Sequence, residues 1–479
     1  MEFTLSAPAS REDEAAPSTG AATEPTAVNA YRRPLEALLR LRAFEALRHR
    51  EFRLLWYGQV FTSMATWMDS IARGWLIYEL TNSSFQLGLV RGVQAIPMLL
   101  LSPIAGSAAD LYSRKTQILI AQVIDGLLYA WVAVMILTGS IQPWHVYLTS
   151  LGLATVQSFQ QPSRASMVSD AVPRECLTNA FGLNAVVFNM ARSAGPALAG
   201  LLIAGFGTGG SYSVQAVFYL LATIWTIMLR PERRAWRATG KPVAPPSTPA
   251  GRNPEQEPPA KAGALVEGST ALEGHAHRGE TFGQNIIEGW KFSWRSDEVR
   301  ISLLVVSIAM LLLIPFSTLL PVFARDILQV GAKGQGLLLT SMGIGALFSS
   351  VLVAFLGDRM PRGIVMIGGV ALYGVLVVIF SASSSFPLSI VLMFVIGLCH
   401  VTSHALIQTV IQSYSPPEFR GRTMSLFHMT QVILVIGAMF LGGLASFVGA
   451  RWAAASMSLT GTLLMVAIFV LMPRASKIH

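Results

Sequence analysis

Residues 106–115 read Gly106-Ser-Ala-Ala-Asp110-Leu-Tyr-Ser-Arg114-Lys115, a short polar break between apolar runs at about 85–108 and 117–138. A helix needs about 20 apolar residues to cross a bilayer, and both runs suffice. The alternation continues in both directions. Twelve runs are expected, six before residue 231 at roughly 54–79, 85–108, 117–138, 145–168, 179–204 and 213–229. Six more follow residue 300, at roughly 301–324, 335–356, 364–381, 387–411, 423–447 and 452–471. Composition agrees: 13% of residues are charged and 52% hydrophobic, with mean hydropathy +0.53, whereas soluble chains carry about 25% charge.

The net charge of +9 does not signal nucleic acid, because the basic residues gather between apolar runs. One set of breaks holds Arg114, Lys115, Arg174, Arg359, Arg362, Arg420 and Arg422, with both tails and the long central segment. The other set is short and nearly free of cations, with Arg325, Lys333 and Arg451 as exceptions. Cations mark the inner face, so a multi-pass inner-membrane protein with both termini cytoplasmic is expected. Cys176 and Cys399 suggest neither a disulfide framework nor a cysteine metal site. The N-terminus is acidic and Ala/Pro/Thr-rich, unlike a secretory signal.

The expected organisation is a cytoplasmic tail with an amphipathic helix over 34–52 (1–52), a six-helix bundle (53–230), a cytoplasmic linker (231–300), a second bundle (301–472) and a short tail (473–479). The linker is rich in Pro, Ala, Gly and Glu and builds no core; its end, from Gly283, reads as a second surface helix. The halves echo each other. Asp110 to Lys115 matches Asp358-Arg359-Met-Pro-Arg362; Val172-Pro-Arg-Glu175 matches Ser415-Pro-Pro-Glu418; Gly195–Gly200 matches Gly437–Gly443. Repetition in order implies a duplicated unit, which suits a rocking transporter with its site between the bundles.

Gly106, Asp110, Arg114 and Lys115 resemble the loop signature of the major facilitator superfamily, departing from it at Leu111 and Ser113. The resemblance implies an all-α membrane protein with twelve helices in two pseudo-symmetric six-helix bundles. In physical terms Asp110 faces the positive end of a helix dipole and can be held by Arg114, as a latch. Asp358 and Arg359 form the second-half copy, without the leading glycine. A plain topological stop is the alternative. Gly195, Pro196 and Gly200 resemble the antiporter motif of exporters in this superfamily; simple helix packing explains them equally. The stretches FRLLWYGQ (52–59), WLIYELTNSSFQLGLV (75–90), VPRECLTNAFGLN (172–184) and LLPVFARDILQVGAKGQGLLL (319–339) resemble the enterobactin-exporter-type branch. That implies proton-driven efflux of siderophores, drugs or related amphipathic molecules.

Ala65-Thr-Trp-Met-Asp69-Ser-Ile-Ala-Arg73-Gly-Trp-Leu76 places two charges inside the first run. A lone charge at membrane depth costs about 2.5–3.5 kcal/mol on insertion scales. Spaced i,i+4, Asp69 and Arg73 share a face and offset each other. Either the pair is simply self-neutralising, or it faces a wet cavity where Asp69 carries a proton. Asp125, Arg164 and Arg192 are further ionisable groups, though third helices of the resembled fold usually lie outside the cavity. His400 and His404 repeat the i,i+4 spacing; they titrate near neutral pH, or they are packed, hydrogen-bonding histidines. They lack a third metal ligand, so no metal site is expected. Gln157, Gln160 and Gln161 stripe the fourth run, and Trp67, Trp75 and Phe159 offer aromatic walls.

No nucleotide-binding or hydrolase motif appears, so neither a cofactor nor enzymatic activity is expected. The expected partners are a small-molecule substrate, protons and lipid, with the chain a monomer. The rivals are transport of a lysolipid or metal chelate in either direction, and a non-transporting receptor or scaffold.

Overall fold

The computed structural model describes residues 42–111, 113–229, 290–356 and 360–472. Among these residues the secondary structure is helical throughout. In chain order the long helices are α1 (Arg50–Thr81), α2 (Ser84–Leu111), α3 (Arg114–Leu137), α4 (Pro143–Ala171), α5 (Leu177–Ile227), α6 (Asp297–Ile327), α7 (Gly331–Leu356), α8 (Arg362–Ala382), α9 (Phe386–Tyr414), α10 (Arg420–Val448) and α11 (Ala450–Leu471). Nine helices among the described residues are long and apolar enough to cross a membrane. α1 and α4 fall outside that set despite spanning 32 and 29 residues.

Local chemistry sets the boundaries. α1 stops where Asn82 turns left-handed (φ 50°) and returns its N–H to the Tyr78 carbonyl at 2.8 Å; asparagine tolerates that conformation better than most residues. α4 starts with Pro143 at its first position, and the Gln142 N–H donates to His145 Nδ1 at 2.9 Å. Gly207 (φ 70°, ψ 177°) breaks α5 into two segments, a conformation reserved for glycine. α6 begins with the Ser296 hydroxyl accepting from Val299 N–H and then loses regularity. It runs through π-helix (Ala309–Leu313), 3₁₀-helix (Ile314–Leu319) and π-helix again (Phe323–Ile327). Pro315 and Pro321 lie in this stretch and remove main-chain donors. The segment Arg42–Arg48 is 3₁₀ rather than the expected α-helix; residues 34–41 lie outside the described residues.

α1 to α5 pack together, as do α6 to α11; one apolar core runs through both groups, and a second cluster around Phe52, Leu55, Ile118 and Val168 lies within the first. The two groups meet chiefly through α5 against α7 and α2 against α10. Close approaches gather at the end where α1 passes into α2, with one further along α5, where a Cβ on Gly343 would sit 2.7 Å from Ser193 Cα. A Cβ on Gly88 would sit 2.6 Å from the Ala438 oxygen, and one on Gly442 2.8 Å from the Ser84 oxygen. On the other seam, a Cβ on Gly200 would sit 2.8 Å from the Ala332 oxygen and one on Gly336 2.8 Å from the Pro196 oxygen. Backbone contact of this kind needs residues without side chains.

Candidate functional site

A cavity of about 850 Å³ lies between the two groups, walled by α1, α2, α4 and α5 on one side and α6, α7, α9 and α10 on the other. It reaches Met98 on α2 and Gln431 on α10. The glycine contacts and the α1–α6 end close off the side of the cavity opposite Met98 and Gln431.

Asp69, Arg73, Arg192, His400, Gln157 and Gln161 line this cavity, as does Trp67. Arg73 donates from Nε (2.9 Å) and Nη2 (2.5 Å) to the same Asp69 oxygen, Oδ2, and from Nη1 to the Ser150 hydroxyl at 2.5 Å. The i,i+4 register delivers the pair, and α4 supplies the third contact. Asp69 Oδ1 is buried without a partner. A carboxylate oxygen in that condition is a place where a proton can bind without displacing a hydrogen bond. Arg192 sits over the Trp67 ring at 5.6 Å and makes no ion pair among the described residues.

Other expected residues lie elsewhere. Asp125 is fully buried in α3; it stands behind the cavity, beside the Tyr219 hydroxyl and near Asp69 and Arg73. Arg164 is also off the cavity wall and donates to Gln59. His404 leaves the main cavity and joins His400 around a small side pocket, with its ring 5.1 Å from Phe427. Among the described residues no cluster of three metal-ligating side chains exists. Trp75 and Phe159 do not line the cavity.

The glycine–proline motif is used for packing on two sides. A Cβ on Gly195 would lie 2.7 Å from Trp67 Cβ, while Pro196 and Gly200 meet α7 and Pro196 also touches the cavity. Gly106 and Asp110 fall within α2, but the surroundings of Gly106 and the side chain of Asp110 lie outside what the structure describes, as do Asp358 and Arg359 altogether. Arg114 is described and donates to the Asp170 carboxylate and the Ser166 carbonyl. Lys115 caps the carbonyl end of α5 through Ile227 (2.9 Å) and Leu229 (2.5 Å).

Two features escaped the sequence reading. Arg91 on α2 projects into the cavity with no hydrogen bond or ion pair to a described residue; its signal was a lone cation in an apolar run. At the shut end, Tyr78 donates to the Asp326 carboxylate, Arg325 donates to Asn82 Oδ1 at 2.9 Å, and the Arg325 guanidinium lies 5.5 Å above the Tyr78 ring. These contacts tie α1 to α6 across the two groups.

Comparison with known proteins places this geometry in context. The family profile described as "Transmembrane secretion effector" matches residues 41–241 and 262–478. The multidrug efflux pump Tap of Mycolicibacterium fortuitum is 24% identical over 416 residues, covering 85% of this chain and 92% of that protein. The enterobactin exporter EntS of Shigella flexneri is 22% identical over 399 residues, covering 83% and 86%. The staphyloferrin A transporter of Staphylococcus aureus is 25% identical over 174 residues, covering 35% and 42%. Among solved structures, the nucleoside transporter NupG aligns with a TM-score of 0.64 at 12% identity, covering 87% of this chain and 99% of that one. A bacterial homologue of the lysosomal transporter Spinster, solved inward-facing and unoccupied, gives a TM-score of 0.60 at 14% identity, covering 91% and 96%.

Proposed function

The chain belongs to the transmembrane secretion effector family of the major facilitator superfamily, and from that premise we propose that it is a proton-coupled exporter of small organic compounds. It is a multi-pass membrane transporter, not an enzyme. The efflux and siderophore-export names of its relatives support the export direction. In this reading twelve helices cross the inner membrane as two six-helix bundles, 53–230 and 301–472, joined by a cytoplasmic linker at 231–300. The Gly207 break supports counting α5 twice. The polar residues of α1 and α4 that face the cavity support counting those helices as spans, since they lower hydropathy for a reason other than solvent exposure. Both termini are cytoplasmic and one chain forms the transport unit.

With this topology the shut end is the outer one, and the structure is in the state that loads substrate from the cytoplasm. Asp69 is the proton carrier. When the cavity turns outward, Asp69 takes a proton and its ion pair with Arg73 weakens. When the cavity turns inward the proton leaves and the pair closes again. Each proton contributes about 2.3 kcal/mol per 100 mV of membrane potential. The observation that carries this reading is the Asp69–Arg73 pair on the cavity wall, with one carboxylate oxygen unused.

The test is transport in proteoliposomes under an imposed pH gradient. Efflux from the cytoplasmic face, stopped by collapsing the gradient and absent in Asp69→Asn, is the expected result. Wild-type rates in that variant would remove Asp69 from coupling, and uptake in place of efflux would point to the opposite direction.

A further inference from the structure

We propose that the cavity takes organic anions, whose acidic groups are neutralised by Arg91 and Arg192 and whose apolar body lies against Trp67 and Phe188. This names the substrate class of the site described above and rests on the export reading only for direction.

The charge balance of the wall carries the inference. Among the described lining residues Asp69 is the sole acid, and the cations are Arg73, Arg91 and Arg192. Arg73 spends its charge on Asp69, with two donors on one oxygen. Arg91 and Arg192 have no carboxylate within ion-pair distance among the described residues. Two positive charges are therefore left uncompensated in one cavity. Cations at membrane depth are kept paired as a rule, because leaving them unpaired is costly. When the protein supplies no counter-charge, the ligand is its natural source.

The residue type and the surroundings narrow the class. Guanidinium groups present a planar fork that matches carboxylate or phosphate oxygens. Arg192 stacks on the Trp67 face, which leaves its edge N–H groups free for an anion. Trp67 in turn meets Phe188 edge-on at 5.5 Å between ring centres, and both rings line the cavity. An apolar aromatic wall beside a cation suits an amphipathic anion better than a small inorganic one. The remaining polar wall is neutral, including Gln94, Gln157, Gln335 and Gln431, so nothing else in it favours a cation.

Two dyes on one xanthene frame provide the test: fluorescein, an anion, and rhodamine 6G, a cation. Binding to the purified full chain is read by anisotropy, with no gradient, so an error in transport direction cannot affect it. Wild type should bind fluorescein at least about tenfold more tightly than rhodamine 6G, and Arg91→Gln or Arg192→Gln should weaken fluorescein by about tenfold each. The double variant Arg91→Glu/Arg192→Glu should reverse the preference, a gain that misfolding cannot produce. Equal binding of the two dyes by wild type would overturn the proposal, as would a double variant that still prefers fluorescein. Displacement of fluorescein by inorganic phosphate at equal concentration would overturn its organic part.

Discussion

At the end where α1 turns into α2, the two helix groups touch backbone to backbone; toward the other end the described glycines beyond Gly343 make no such contact between the groups. The shut end is built from glycines, Gly88 with Gly442 and Gly200 with Gly336, plus one polar latch of Tyr78, Asn82, Arg325 and Asp326. The other end carries the basic breaks of the chain, Arg114, Lys115, Arg420 and Arg422 among them. The contrast shows two ways of closing one molecule. Glycine seams close by dispersion at short range, with no directional bond to break. The latch adds a few hydrogen bonds whose strength can be tuned.

Breaking the glycine seam should have the largest effect. Gly200→Leu drives a side chain into the Ala332 carbonyl and the Gly336 backbone, so the glycine-lined end cannot shut. Transport should fall by more than about tenfold, and an introduced cysteine on the outer half of the cavity should become labelled from outside. Unchanged labelling and transport would show that the seam does not determine closure.

Loosening the latch should act less strongly. Asp326→Ala or Tyr78→Phe removes one hydrogen bond, worth about 1 kcal/mol net, or about a fivefold change in the ratio of shut to open forms of this end. Cross-linking between α1 and α6 near residues 82 and 329 reads that ratio. Arg451→Ala should have the smallest effect. Its guanidinium bonds Ser384 at 2.6 Å within the second group, so thermal stability should drop by under about 1 kcal/mol while transport holds. A transport defect there would extend the moving parts beyond the two seams.

The fold was legible because long apolar runs and the placement of cations need no tertiary information. The Asp69–Arg73 pair was legible for the same reason, since helical spacing alone puts it on one face. Arg325 and Arg451 stood out only as exceptions to the charge pattern. The structure gives each a reason, Arg325 across the two groups and Arg451 within one. Tyr78 with Asp326 could not be read, because 248 residues separate them. Arg91 was missed because no residue four positions away balances it, which is the property that now makes it informative. The Arg42–Arg48 segment shows tertiary context overriding pattern. Leucine spacing over 34–52 reads as helix, yet within it the Ala46 N–H is taken by Asn179 Oδ1 at 2.9 Å and Ala46 is fully buried.

The central claim is that the cavity holding Asp69 and Arg192 opens to one side only when it closes to the other. Paired spin labels, one pair at 82 and 329 and one at 100 and 429, measure both ends in the same preparation after Cys176 and Cys399 are replaced by serine. The account predicts that a gradient or a bound anion lengthens the first distance while shortening the second. Two distances that change together, or an outer pair that never separates, would contradict it.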